Sequence, residues 1–341
     1  MSDKVCHQWH SSIKSLANEI SIELEQNRQK IQQQSQRLPR HKHLNDDAAT
    51  ALSNDDSVIS SFSQKWYDKI VHHYNESHRA YHNLIHVEDI LSSIDVLLDV
   101  PTTTTTKSTT SPDNNHNHPS MMEKSYAIFT LAAFFHDAIY NPKSSTNEKD
   151  SANLFLEFVS ELITCVVSAT TSTLGKEWKK KDDYYDYDIR QSIHLLFESK
   201  NTMITHIKQC ILATATHISS ANQARQSNNY IVATFLDADM SILGRDSIQY
   251  DKYAASIRKE YEFVEKTEYC EKRAEILESF LPLMMNTDEA DAITMTSKTK
   301  EKQHYYIYAT DMGRLLWEDR ARLNLRREID TLRRGVIPCE S

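Results

Sequence analysis

The chain has 341 residues, 39% of them hydrophobic, with 48 acidic against 39 basic residues and a net charge of −9. Four glycines and seven prolines are too few for the tight turns of an all-β fold, and the acidic balance gives no basic face for nucleic acid or for an anionic membrane. Five scattered cysteines (Cys6, Cys165, Cys210, Cys270 and Cys339) form no Cys-x-x-Cys pair, which argues against a disulfide framework or a thiolate zinc site.

Residues 1–55 are polar, with a glutamine-rich patch from Glu25 to Ser35 and no signal-peptide core. Ile13, Leu16, Ile20 and Leu24 recur at helical spacing, so the expectation is a partly ordered tail with one short amphipathic helix. From Ser60 the pattern tightens. Trp66, Ile70 and Tyr74 define one helical face, and Leu84, Val87, Leu91, Ile94 and Leu98 define the next. Residues 101–120 are threonine-rich, low in complexity and unable to bury a core, and read as a loop insertion.

A helix over about 122–139 follows, apolar on every side, and then an amphipathic one near 147–168. The apolar run at 127–135 is too short to span a bilayer, so a reducing cytoplasmic or nuclear compartment is expected. Residues 170–200 carry Lys-Lys-Lys-Asp-Asp and several tyrosines and read as a second insertion. Ile207, Cys210, Ile211 and Thr214 mark a further helix that reaches His217. Helices near 231–243, 248–265, 271–283 and 313–333 complete the chain, with a polar gap at 286–303. The expected architecture is all-α: one helical domain over 56–335, interrupted by the three polar segments.

Within Ala127–Tyr140, His136 and Asp137 close an unbroken apolar run, where a charged group is costly unless it is paired or holds a metal. At 100° per residue, Asp239 lies amid the apolar cluster of Val232, Phe235, Ile242 and Leu243, while Asp237 falls on roughly the opposite side. His86 sits at the edge of the Val87–Ile90–Ile94 face, and His82, four residues earlier, lies further toward solvent. His217 continues the Cys210–Thr214 face by one turn and also reads as an ordinary core or cap histidine. Imidazoles and carboxylates together suit a divalent transition metal, and His86, His136, Asp137 and Asp239 are the candidate ligands. Buried His-Asp pairs also occur as plain hydrogen-bonded structure, so burial and spacing leave both readings open.

The order His86, His136-Asp137, Asp239 resembles the H…HD…D signature of the HD superfamily of metal-dependent phosphohydrolases. The closer resemblance is to the family described as predicted metal-dependent HD superfamily phosphohydrolases. It is carried by Arg79–His86, Ala133–Pro142, Asn147–Ala152, Ala213–His217, Leu236–Gly244, Tyr253–Tyr261 and Ala321–Ile329, over roughly residues 60–335 apart from the insertions. The resemblance implies an HD-domain helical bundle holding one or two divalent ions (Mn, Mg, Co, Ni, Fe or Zn) between helices. It implies hydrolysis of a small phosphate ester, with a nucleotide among the candidates. Glu148 is the candidate general acid or base, and also reads as a helix-start acid favoured by the dipole. His217 is a candidate for a second metal or for protonating the leaving oxygen. Arg79, His82 and Arg258 are candidates for phosphate contacts. Two alternatives stand beside this: an HD-type di-iron oxygenase using His82, Glu148 and His217 as added ligands, and a nucleotide-sensing module without turnover. The oligomeric state is left open.

Overall fold

The computed structural model describes residues 3–36, 56–98, 121–173, 202–281 and 306–338. Among these residues every regular element is helical and none is a strand, as an all-α fold requires. The insertions expected at 101–120 and 286–303 lie outside the described residues. Of the segment expected at 170–200, only its first residues are described, and they extend a helix as far as Thr173. The described residues group into two compact units rather than the single domain read from the sequence.

Of the described residues, the first unit takes in 3–36, 56–76, 82–91, 121–173 and 202–215. Its N-terminal segment departs from the tail expected of it. Helix α1 spans Asp3–Gln36, and Val5, Trp9, Ile13, Leu16 and Ile20 are all buried along one stripe. Isolated helices draw little stability from propensity alone, so α1 owes its order to that stripe. Trp9 anchors it: the indole meets Phe134 edge-on at 4.8 Å and donates to the Ser63 carbonyl at 3.0 Å. Truncating a buried tryptophan of this kind costs ~3–5 kcal/mol.

Helix α2 (Asp56–Tyr74) buries Trp66, Ile70 and Tyr74, the face read from the sequence. The start of α3 (Leu84–Leu98) belongs to this unit, followed by α4 (Met121–Phe135), α5 (Asn147–Thr173) and α6 (Met203–Ala213). α4 is apolar on all sides because α1, α5 and α6 enclose it, and every residue from Ala127 to His136 is buried. Phe135 lies within 5.3 Å of both Phe155 and Phe158, and Phe158 meets Trp66 at 83°. These aromatic contacts fix the C-terminal end of α4, where the histidine and aspartate follow. Asn147–Ser168 of α5 is long and apolar enough to cross a membrane by composition, with half of its most apolar window buried against the rest of the unit. A core helix passes the same test.

Of the described residues, the second unit takes in 77–81, 92–98, 216–281 and 306–338. Its helices are α7 (His217–Gln226), α8 (Tyr230–Asp239), α9 (Ser247–Glu260), α10 (Lys266–Ser279) and α11 (Asp311–Arg333), with a 3₁₀ turn at Met240–Gly244. The strap 306–310 enters α11 under unusual restraint. Glu318 accepts from the backbone N–H groups of Ile307 and Tyr308, and Asp237 from those of Ala309 and Thr310. Two buried carboxylates thus satisfy four consecutive donors that would otherwise be orphaned. Thr310 caps α11 by accepting from Gly313 N–H, and its hydroxyl donates a hydrogen bond to Asp237.

Gly313 is required there, since a Cβ would collide with the Asp237 carboxylate. Gly244 meets the Trp317 backbone just as closely. Elsewhere in the unit, buried Glu328 accepts from Tyr250 Oη and Arg273 Nε, and Asn324 donates to the Leu243 and Arg245 carbonyls. A carboxylate that holds the Ala80 and Tyr81 N–H groups, Glu260, pins the segment ahead of His82.

Candidate metal centre

α4 is expected to continue to about residue 139, but it stops at Phe135. Asp137 therefore falls in the turn that follows, and its side chain is released from the helical row. His136 N–H still bonds Ala132 O at 2.9 Å, so its ring leaves directly from the last helical turn. Helix ends present unsatisfied carbonyls, and the His136 Nδ1 lies 2.8 Å from one of them, Ala133 O. A carbonyl only accepts, so a proton sits on Nδ1, and in the neutral ring the lone pair is then on Nε2.

That lone pair faces two further acceptors. His136 Nε2 is 3.1 Å from Asp137 Oδ2 and 3.3 Å from His86 Nε2, and His86 Nε2 is 3.9 Å from Asp137 Oδ2. His86 and His136 are almost fully buried and Asp137 is 15% exposed. Two imidazole nitrogens and a carboxylate oxygen converge so closely that a cation or a shared proton must lie between them. With metal–ligand bonds of about 2.0–2.2 Å, neighbouring ligand atoms stand roughly 3.0–3.4 Å apart. The two shorter edges match, and the third needs a shift of roughly 0.5 Å. His86, His136 and Asp137 thus fit a divalent ion, and the Ala133 carbonyl supplies the hydrogen bond that orients a ligating histidine.

His82, four residues before His86, stacks on Tyr140 with ring centroids 4.3 Å apart, and its Nε2 is 4.0 Å from Asp137 Oδ2. When the rings are protonated, burial still opposes ionisation of Asp137, but the charge and hydrogen bond of His136, joined by His82 and His86, hold its carboxyl well below the usual range.

The turn is fastened by two residues of the Asn147–Ala152 stretch that the sequence reading gives no role of their own. Asn147 accepts from Asn141 N–H and donates to Asn141 O, and Ser151 exchanges hydrogen bonds with both backbone groups of Ile139. Spaced four apart on the first turns of α5, these two side chains clamp residues 139–141 behind the histidine and aspartate. Their only sequence signal is that i,i+4 spacing of small polar residues at the start of an apolar helix. Glu148, between them, is half-buried in the first turn of α5 and is not in the three-residue cluster.

The remaining candidates belong to the second unit. Asp239 is 9% exposed and pairs with His217, whose Nε2 lies 2.7 Å from its Oδ2. Arg79 is buried. Arg258 donates to the Tyr261 and Val264 carbonyls at the end of α9 and lies 4.6 Å over the Tyr269 ring.

The helical-face reading of α8 needs correction. Asp237 is no solvent-facing neighbour of Asp239: it is 1% exposed and tied to the strap ahead of α11. Burial pushes its carboxyl up to about 6, and the Thr310 hydroxyl and two N–H groups keep it from rising further. Comparison of the chain with protein-family models, curated proteins and solved structures finds no match.

Proposed function

We propose that the chain is a metal-dependent phosphohydrolase of the HD type acting on a small phosphate ester. The observation that carries this reading is the convergence of His86 Nε2, His136 Nε2 and Asp137 Oδ2 at 3.1–3.9 Å, with the His136 tautomer set by Ala133 O. A divalent cation supplies Lewis-acid activation of water and charge neutralisation at a phosphoryl oxygen.

The chain's own residues do the rest. His86 and His136 would hold the ion with neutral nitrogens, which would leave its charge largely available to the substrate. Asp137 would hold it as a carboxylate and would help to orient the attacking water. His82, held flat by Tyr140, places an imidazole beside Asp137, where it donates to a substrate oxygen or carries a proton. Glu148 is the reserve acid–base candidate at the start of α5.

The test is turnover of a broad phosphate-ester panel by protein loaded in turn with Mn²⁺, Mg²⁺, Co²⁺, Ni²⁺, Zn²⁺ or Fe²⁺. The proposal expects hydrolysis of at least one ester, abolished in His136→Ala. No hydrolysis with any of these ions overturns it.

A further inference from the structure

The second unit holds a cleft that the metal-centre reading does not use. It lies between the α7–α8 corner and the start of α11, with a volume of about 490 Å³, within the size range of small-molecule sites. Arg225 of α7 and Arg314 of α11 line it, together with Asn229, Tyr230, Thr310 and Met312.

Its charge is concentrated. Both guanidinium groups lie over the Tyr306 ring, Arg314 at 4.6 Å and Arg225 at 5.9 Å, so one aromatic side chain brackets two cations. Arg225 is bonded to the neutral Asn222 amide, which leaves its charge uncompensated by that contact. Arg314 donates to Ala309 O and pairs with Asp311, the acidic side chain on the rim, which is 96% exposed.

Two helices also begin here. Asn229 caps α8 and Thr310 caps α11, each accepting one first-turn N–H. Helix geometry leaves the N–H groups of Asp311 and Met312 without an intrahelical acceptor, and both dipoles present their positive ends to the same space. Beside this polar floor, the Tyr230 ring is 55% exposed and joins Ala233 and Met312 as an apolar wall. The cleft is larger than one oxyanion needs, and its walls are divided between cationic and apolar groups.

We propose that this cleft binds a small phosphorylated molecule with a flat ring. Arg225 and Arg314 take the phosphate, and Tyr230 takes the ring. Planar guanidinium groups suit phosphate oxygens, and an exposed aromatic side chain suits a base-sized ring. The proposal stands independently of the metal centre, since none of its residues belongs to the first unit.

Calorimetric titration of the full chain with AMP and with inorganic phosphate tests it, in excess chelator so that no metal contributes. AMP should bind more tightly than phosphate, and raising the salt should weaken both. Arg225→Glu should weaken AMP at least tenfold, and Tyr230→Ala should weaken AMP while leaving phosphate unchanged. Neither side chain is part of the core, and circular dichroism verifies that both variants are folded. Arg225→Gln serves in place of the charge reversal if that variant does not fold. His136→Ala should bind AMP as the parent does. Equal AMP affinity in Arg225→Glu and the parent, or no AMP binding at millimolar concentration, overturns the proposal.

Discussion

Asp137 and Asp237 are both buried acids beside a helix C-terminus, and the chain uses them in opposite ways. Asp237 is surrounded by donors: two backbone N–H groups and a threonine hydroxyl consume its oxygens, so it holds the strap ahead of α11. Asp137 is surrounded by imidazole nitrogens, which carry lone pairs when the rings are neutral, and His136 directs its Nδ1 proton to Ala133 O. The first carboxylate is spent on the fold. The second is, in the proposed reading, the one that would ligate a cation. The partner's protonation, more than burial or sequence spacing, separates a structural aspartate from a ligand.

The largest effects should come from crossing these roles. Asp137→Ala should reduce bound metal to background and abolish hydrolysis, with the melting temperature of the metal-free protein little changed. Elemental analysis and a thermal melt check both halves. Asp237→Ala should do the reverse. It leaves two N–H groups and the Thr310 hydroxyl without their acceptor, at a cost of ~3 kcal/mol or more in chemical denaturation. The folded fraction should keep the parent's metal stoichiometry. Gly313→Ala should destabilise for the same reason by ~2 kcal/mol, because its Cβ displaces the Asp237 carboxylate.

A smaller effect is expected where fold and site meet. Ser151→Ala removes the clamp on Ile139 and should weaken metal affinity by about tenfold, as loss of an orienting group does. Competition with a chromogenic chelator reads this. If Ser151→Ala instead leaves affinity unchanged, the turn holds its shape without α5.

The smallest effect is one of pH. Burial, with Glu19 beside it, raises Glu23 of α1 from 4.5 to about 7, while Lys124 and Lys30 oppose the rise. Its folded pKa lies above its unfolded one, so its contribution is fully present below pH 4.5 and is lost as pH rises through 7. Glu23→Gln should therefore flatten the fall in stability between pH 5 and 8, and match the parent near pH 4. Denaturant melts across that range decide it.

Much of this was legible in the residues, and the misses share a cause. Trp66, Ile70 and Tyr74 announce α2, and the unbroken apolar run of α4 announces a helix enclosed on all sides. His86, His136 and Asp137 could be picked out because polar groups interrupt apolar faces. Helix α1 was read as a tail because its stripe is narrow and its average is diluted by glutamine; the anchor, Trp9, earns its place from Phe134 and Ser63, far away in sequence. Asp237 was misplaced because a helical wheel assumes one dry face, whereas α8 is covered on the other by a strap some seventy residues later. Asn147 and Ser151 lie in a matched stretch, but their clamping role is not legible there because their partners are backbone groups, and backbone leaves no pattern in the side-chain sequence.

The central claim is that the His86–His136–Asp137 corner is built for a cation. Elemental analysis of the protein purified without chelator, beside the His86→Ala and His136→Ala variants, tests this most directly. The account predicts at least one equivalent of a divalent transition metal per chain in the parent and background levels in both folded variants. A parent without bound metal that also takes up none when offered Mn²⁺, Co²⁺, Ni²⁺, Zn²⁺ or Fe²⁺, or variants that keep the full complement, would contradict it.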